Sequence, residues 1–156
     1  MRLWLAAIGR AGSDPAVKLF DHYAGRLTWP LTLREIVVRG NLPLDRRISE
    51  EGRLLLAAIP KDSVVVALDE TGKSLTSPAF AKRMGAWRDD GVKDLAFLIG
   101  GADGLAKEVK KLADFTLSLG FMTWPHLLVR VLLAEQLYRA QTILAGHPYH
   151  RGQKTR

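Results

Sequence analysis

Short apolar runs and segments of helical period alternate along the whole of this chain, and that alternation leaves few architectures open. The runs over residues 3–8, 31–38, 63–68, 95–99 and 116–119 read as strands. Between them, residues 16–26, 44–59, 77–90 and 105–113 carry apolar side chains at three- and four-residue spacing, and residues 126–145 close the series as a fifth helix. A helix between two strands returns the chain to the end where it began, so successive strands run parallel. Val64-Val65-Val66-Ala67-Leu68 and Leu95-Ala96-Phe97-Leu98-Ile99 are apolar without interruption, as strands covered on both faces must be. The expectation is an α/β fold: one mostly parallel sheet with helices on both faces and these two strands inside it. Pro60, Gly91 and the pair Ser77-Pro78 mark helix boundaries, with Ser77 as the expected N-cap. No repeat or Pro/Gly/Ser-rich linker divides residues 1–156, so a single domain is expected.

Composition narrows the possible chemistry. The 156 residues include no cysteine, which removes disulfide frameworks, thiol nucleophiles and thiolate metal sites, and no metal centre is expected. No apolar run approaches the roughly 18 residues of a membrane span. The run over 3–8 is short and soon followed by Arg10, so it does not resemble a signal peptide, and the cytoplasm is the expected compartment.

The formal charge is +7, and its distribution is uneven. Residues 126–156 hold 5 basic groups against 1 acidic one, with three of the four histidines and two of the three tyrosines. A basic tail over 147–156 interleaved with aromatics and imidazoles can grip phosphates and stack on bases, or can simply be a solvated end. In the helix before it, only Arg130 interrupts the apolar sequence from Leu127 to Ala134. An apolar surface that wraps most of a helix calls for wide burial, either in the core or against the same helix of a second copy.

Ligands of open α/β sheets bind beyond the carboxyl ends of the strands, which directs attention to the loops after Leu68, Ile99 and Leu119. Gly100-Gly101-Ala102-Asp103-Gly104 offers bare backbone and N–H groups, although its spacing matches neither the dinucleotide fingerprint nor the P-loop. Gly120-Phe121-Met122-Thr123-Trp124-Pro125 can wall an adenine or a thioether, or can pack beneath the last helix. Asp69 can accept from a ligand or cap the turn toward Gly72. Glu135, Tyr138 and Arg139 share a helix face, where an ion pair would satisfy the carboxylate, and His126 is either a base or a packing residue in the first turn.

Taken in order, several strings resemble one family, the RlmH-type enzymes of the SPOUT class, which methylate N3 of pseudouridine in 23S ribosomal RNA. They are Leu98-Ile99-Gly100-Gly101-Ala102-Asp103-Gly104, Thr123-Trp124-Pro125-His126, Val129-Arg130-Val131, Glu135-Gln136-Leu137-Tyr138-Arg139-Ala140 and His147-Pro148-Tyr149-His150-Arg151. Trp124 and Leu127 depart from the family's usual residues, and this bears on the shape of the pocket rather than on its glycines.

The resemblance implies a carboxyl-terminal trefoil knot, a feature that general topology rules would not suggest. It implies S-adenosylmethionine as cofactor, held against Leu68, Gly100, Gly101, Gly120, Phe121, Met122, Thr123, Trp124 and Pro125. It also implies a homodimer acting on the assembled ribosome. His126, Arg130 and Glu135 are then the candidates for managing the acceptor's proton and charge, and Arg139, His147, Tyr149, His150 and Arg151 the candidates for RNA contact. The alternatives are a non-enzymatic ribosome-associated RNA-binding protein and a Rossmann-like enzyme using another nucleotide.

Overall fold

Side chains that alternate between the two faces of a strand need cover on both, and the chain supplies it with helices on either side of one sheet. The computed structural model describes residues 1–149. In order, the elements are β1 (Arg2–Ile8), α1 (Ala16–Ala24), β2 (Leu31–Ile36), α2 (Leu44–Ala57), β3 (Val64–Ser74), α3 (Ser77–Asp89), β4 (Asp94–Ile99), α4 (Lys107–Leu112), β5 (Phe115–Ser118) and α5 (His126–Leu144). Every strand pair is parallel, and the sheet order is β2-β1-β4-β3-β5. As expected, β3 and β4 are internal.

Odd and even positions of the strands serve two cores. Leu3, Leu5, Val66, Leu95 and Phe97 pack with Phe20 of α1, Phe80 and Met84 of α3, and Leu133 and Leu137 of α5. Ala6, Ile8, Val65, Ala67 and Leu98 face Leu55 of α2 and Val109 of α4. Each such large side chain, taken fully out of water, contributes roughly 1.5–3 kcal/mol.

Several expectations need correction. α5 packs against both α1 and α3 on one sheet face, so its broad apolar surface is largely consumed within the chain and does not by itself require a second copy. The N-cap of α3 is Thr76, whose Oγ1 accepts from Ala79 N at 3.2 Å; Ser77 instead donates to Gln136 Oε1 on α5 at 2.7 Å. β2 stops at Ile36 instead of Val38. β3 runs on to Ser74, with a register shift against β5 between Leu68 and Lys73. A Cβ on Gly72 would stand 2.8 Å from the backbone of Thr116 and Leu117, so only glycine lets the chain return that closely to β5.

At the amino ends of the strands, Asp94 accepts from Arg2 at 2.8 and 2.7 Å and from Trp4 Nε1 at 2.8 Å. These hydrogen bonds, from Arg2 first and then Trp4, hold the Asp94 carboxyl below the usual carboxylate range. The opposite ends of the strands stay open.

Candidate functional site

The stretch of β3 from Leu68 to Thr71 and the loops after β4 and β5 converge on one crevice of about 720 Å³. Its floor is the ends of the strands, Leu68, Ile99 and Leu117, and Val129 of α5 closes one side. Of the residues expected to hold a cofactor, Leu68, Gly100, Gly101, Gly120, Met122, Thr123, Trp124 and Pro125 all line it. Phe121 does not. Gly120 has φ +115°, and Phe121 after it is fully exposed and outside the crevice, while Met122 lines the wall.

The glycine loop is folded on itself. Gly104 N donates to Gly101 O at 3.0 Å, and a Cβ on Gly100 would meet the Gly104 carbonyl at 2.7 Å and Leu105 N at 2.9 Å. Gly101 is as constrained on its other side, where a Cβ would lie 3.1 Å from the Glu51 carboxylate and 3.2 Å from Ile8. The loop therefore presents backbone to the crevice because no side chain fits behind it.

Among the described residues the charge of the lining is acidic: Asp69, Glu70 and Asp103 against a single lysine, Lys110. Asp69 caps its own turn, accepting from Thr71 N at 3.0 Å and from the Thr71 hydroxyl, and pairs with Lys110 Nζ at 2.6 Å. Burial works to raise its pKa, but the bonds from Lys110 and Thr71 prevail and hold the carboxyl below its ordinary range. Glu51, behind the loop, goes the other way: burial pushes its carboxyl up, Arg47 opposes, and the negative charge of Asp103 adds to the rise. Nothing in the local sequence marks Glu51 or Lys110 for this place, since Glu51 is far along the chain from Gly101 and Lys110 is far from Asp69.

His126 begins α5 and lines the crevice, and its Nε2 would lie 3.3 Å from a Cβ on Gly9, so the imidazole rests on the bare backbone that follows β1. Arg130, one turn on, is outside the crevice and only 3% exposed. Its guanidinium donates to Glu35 Oε1 at 2.6 Å, Gly9 O at 2.8 Å and Ile8 O at 3.2 Å, while its Nε has no partner among the described residues. Glu35 also accepts from Ala11 N at 2.8 Å. One buried pair thus ties the ends of β1 and β2 to the first turns of α5.

Glu135 is outside the crevice as well. It accepts from Arg139 Nε at 2.9 Å, Arg139 Nη2 at 2.5 Å, Gln136 Nε2 at 2.8 Å and the Tyr149 hydroxyl at 3.2 Å. The structural reading of Glu135–Arg139 as an ion pair describes this geometry. Arg139 also lies 5.2 Å from the centre of the Tyr149 ring. Gly146 N and His147 N close α5 onto Ile143 O and Thr142 O, and exposed His147 leads away from that end, its Nδ1 accepting from Tyr149 N at 3.2 Å. His150 and Arg151 lie outside the described residues.

A five-stranded parallel sheet covered on both faces, with the bulged part of β3 and the loops after β4 and β5 gathered at one crevice, is the frame of a nucleotide-type ligand site. The family described as "Predicted SPOUT methyltransferase" matches residues 1–150, and the chain belongs to it. Within that class it is a member of the RlmH family: it is 60% identical over 151 residues to Ribosomal RNA large subunit methyltransferase H of Rhodospirillum centenum, covering 97% of this chain and 99% of that protein. In fold it is similar to a probable methylase family protein from Haemophilus influenzae Rd KW20, with TM-score 0.57 and 12% identity over 94% of this chain and 69% of that one. It is likewise similar to Ribosomal RNA small subunit methyltransferase E from Neisseria gonorrhoeae, solved bound to S-adenosyl methionine, with TM-score 0.50 and 12% identity over 92% of this chain and 67% of that one.

Proposed function

We propose that this chain is an S-adenosylmethionine-dependent methyltransferase acting on N3 of a pseudouridine in 23S ribosomal RNA of the assembled ribosome. It would work as a single domain with a basic tail and as a homodimer, its carboxyl-terminal part knotted as in the SPOUT class. Family membership supports the methyl transfer and the RNA. The observation that carries the choice of cofactor is the charge of the crevice. With Asp69 neutralised by Lys110, Glu70 and Asp103 remain, a lining that favours a sulfonium with its ammonium group and repels a diphosphate or triphosphate. This argues against the Rossmann-like alternative using NAD or ATP.

The residues present fit the cofactor. The backbone of Gly100, Gly101 and Gly120 and the walls at Leu68, Met122, Thr123, Trp124 and Pro125 would hold it. Bound there, it supplies a methyl group on a positively charged sulfur. The protein's own work is to position the acceptor and to manage its proton. An imide nitrogen becomes a good nucleophile as its proton leaves, and among the described residues His126 is the basic side chain at the crevice not already paired, so it receives that proton, directly or through water. Arg130 acts through the β1 and β2 ends it holds, and Glu135 through Arg139 and Tyr149.

Exposed Phe121, Met122, Trp124 and Leu128 form an apolar surface beside the crevice mouth that supports the homodimer. Tyr149 turns back only as far as Glu135, and its root lies at the far end of a 19-residue helix, about 28 Å from His126 along the axis. That placement favours a tail that serves the partner's crevice, with His147, Tyr149, His150 and Arg151 of the tail and Arg139 of α5 as the RNA contacts.

Calorimetry with S-adenosylmethionine, S-adenosylhomocysteine, NAD and ATP tests the cofactor: the first two should bind and the others should not. Mass mapping of ribosomal RNA from a deletion strain, with and without the restored gene, tests the acceptor. Intact methylation in the deletion strain, or tight binding of ATP, would end the proposal. An unmodified RNA on which the purified protein binds but transfers nothing would favour the non-enzymatic RNA-binding reading.

A further inference from the structure

The rim of the sheet does not end at the crevice. Gly9 N donates to Ile36 O at 2.8 Å, so the chain leaving β1 and the chain leaving β2 lie side by side, next to His126. Beyond them, between the segment after β2 and helix α2, runs a second groove of about 660 Å³. Val37, 48% exposed, and Leu42 and Leu54 give it an apolar lining, and Arg39 and Arg46 give it charge. Both arginines are exposed, and neither forms an ion pair among the described residues. The one carboxylate in the groove, Glu50, is already engaged by Arg53 at 2.7 and 2.8 Å. Arg10, also exposed, follows Gly9 in the chain leaving β1.

From β4, which carries the glycine loop, to the edge strand β2 is two strand spacings, about 10 Å. The two concavities have opposite charge: the crevice is acidic, and the groove on the segment leaving β2 is basic. A polyanion is repelled by the first and held by the second.

We infer that this groove carries the backbone phosphates of the RNA strand whose target base enters the crevice, with Arg39 and Arg46 as phosphate contacts and Val37 and Leu42 against sugar or base faces. The inference rests on the proposed function and deepens it. It places part of the RNA on the subunit's own β1–β2 rim, in addition to the tail.

The test uses the full chain carrying Arg39→Gln and Arg46→Gln together. Binding to a protein-free fragment of large-subunit RNA, titrated against salt, should show a log–log slope shallower by about 1.5–2, and the KM for unmethylated ribosomes should rise about tenfold. Turnover at saturating ribosomes and affinity for S-adenosylmethionine should stay as in the wild type. Arg39→Lys with Arg46→Lys should restore the slope. A control pair, Lys61→Gln with Lys93→Gln, removes the same charge from the amino ends of the strands and should leave the slope alone.

Unchanged slope and KM in the double glutamine variant would overturn the inference, as would an equal loss in the control pair, which would reduce the effect to net charge. A defect seen with ribosomal particles but not with protein-free RNA would also overturn it, because the groove would then meet a protein. A wild-type chain that neither binds S-adenosylmethionine nor methylates ribosomal RNA refutes the proposed function itself. An active wild type with an indifferent double variant refutes the groove alone.

Discussion

Arg130→Met separates a side chain that acts on the reaction from one that holds the site together. The guanidinium is 3% exposed and donates to Glu35, Gly9 O and Ile8 O at 2.6, 2.8 and 3.2 Å. Methionine fills a similar volume but leaves two carbonyls and a carboxylate without that donor. Each charge-assisted bond contributes roughly 1.5–3 kcal/mol, and each buried carbonyl left unsatisfied costs about 1–3 kcal/mol. Removing a buried guanidinium also recovers its desolvation cost, several kcal/mol, so the losses are largely but not wholly offset. The expected net destabilisation is ~2–4 kcal/mol, a fall in the unfolding midpoint of roughly 4–16 °C for a chain of this size. Glu35→Gln should cost less, because the Glu35 side chain is 29% exposed and water screens it. With the β1 end untied from α5, His126 loses its fixed place against Gly9, and turnover should fall in step with stability. Thermal unfolding, calorimetric binding of S-adenosylmethionine and single-turnover methyl transfer measure the three quantities. An unmoved midpoint and affinity with a thousandfold loss of turnover would refute the reasoning and place the guanidinium on the reacting atoms.

Other outcomes follow from the same geometry. Gly100→Ala drives a methyl against the Gly104 carbonyl at 2.7 Å, which is backbone and cannot swing aside; binding of S-adenosylmethionine should weaken at least tenfold, and native-like affinity in calorimetry would show that the loop adapts. Burial raises the Glu51 carboxyl, so the folded chain holds that proton more tightly than the unfolded one. The associated stability is complete at acid pH and is lost as pH rises through the folded value. Glu51→Gln should therefore melt higher than the wild type at neutral pH, with the gap closing below the carboxylate range, and a pH-independent gap would contradict this. Tyr149 is pushed up to about 12 by burial first, then by its hydrogen bond with Tyr23 and the negative charge of Glu135. Its share of stability should thus persist below the ordinary tyrosine range and disappear toward that value. In an ultraviolet titration Glu135→Gln should bring the late tyrosine down, and an unchanged curve would mean that the tail root is not docked on α5.

Legibility in the sequence followed the range of the interactions. The three segments of the crevice were readable, though one of them is strand and not loop, because they depend only on the alternation of strands and helices, and Gly100 and Gly101 carry a local mark of close backbone approach. Asp69-Glu70-Thr71-Gly72-Lys73 was not readable as strand, since a polar run without apolar alternation has the signature of a loop; its pairing with β5 exists because Gly72 fits against Thr116 and Leu117. The breadth of apolar surface on α5 pointed to a second copy, whereas much of it is filled by α1 and α3. Phe121 shared the composition of its neighbours, but the turn at Gly120 took it away from the crevice.

Residue order alone settled the parallel sheet, the helices on its two faces and the edge at which a ligand would sit, because periods of two and of three to four residues are properties of a single segment. It also carried the strings that make the chain a member of its family. Tertiary structure decided which charges meet. Glu35 reaches Arg130 across 95 positions, Lys110 finds Asp69, and Glu51 comes to lie behind Gly101. Those partners depend on a strand order of β2-β1-β4-β3-β5, and strand order is chosen by how all the faces pack together, a quantity no local window contains.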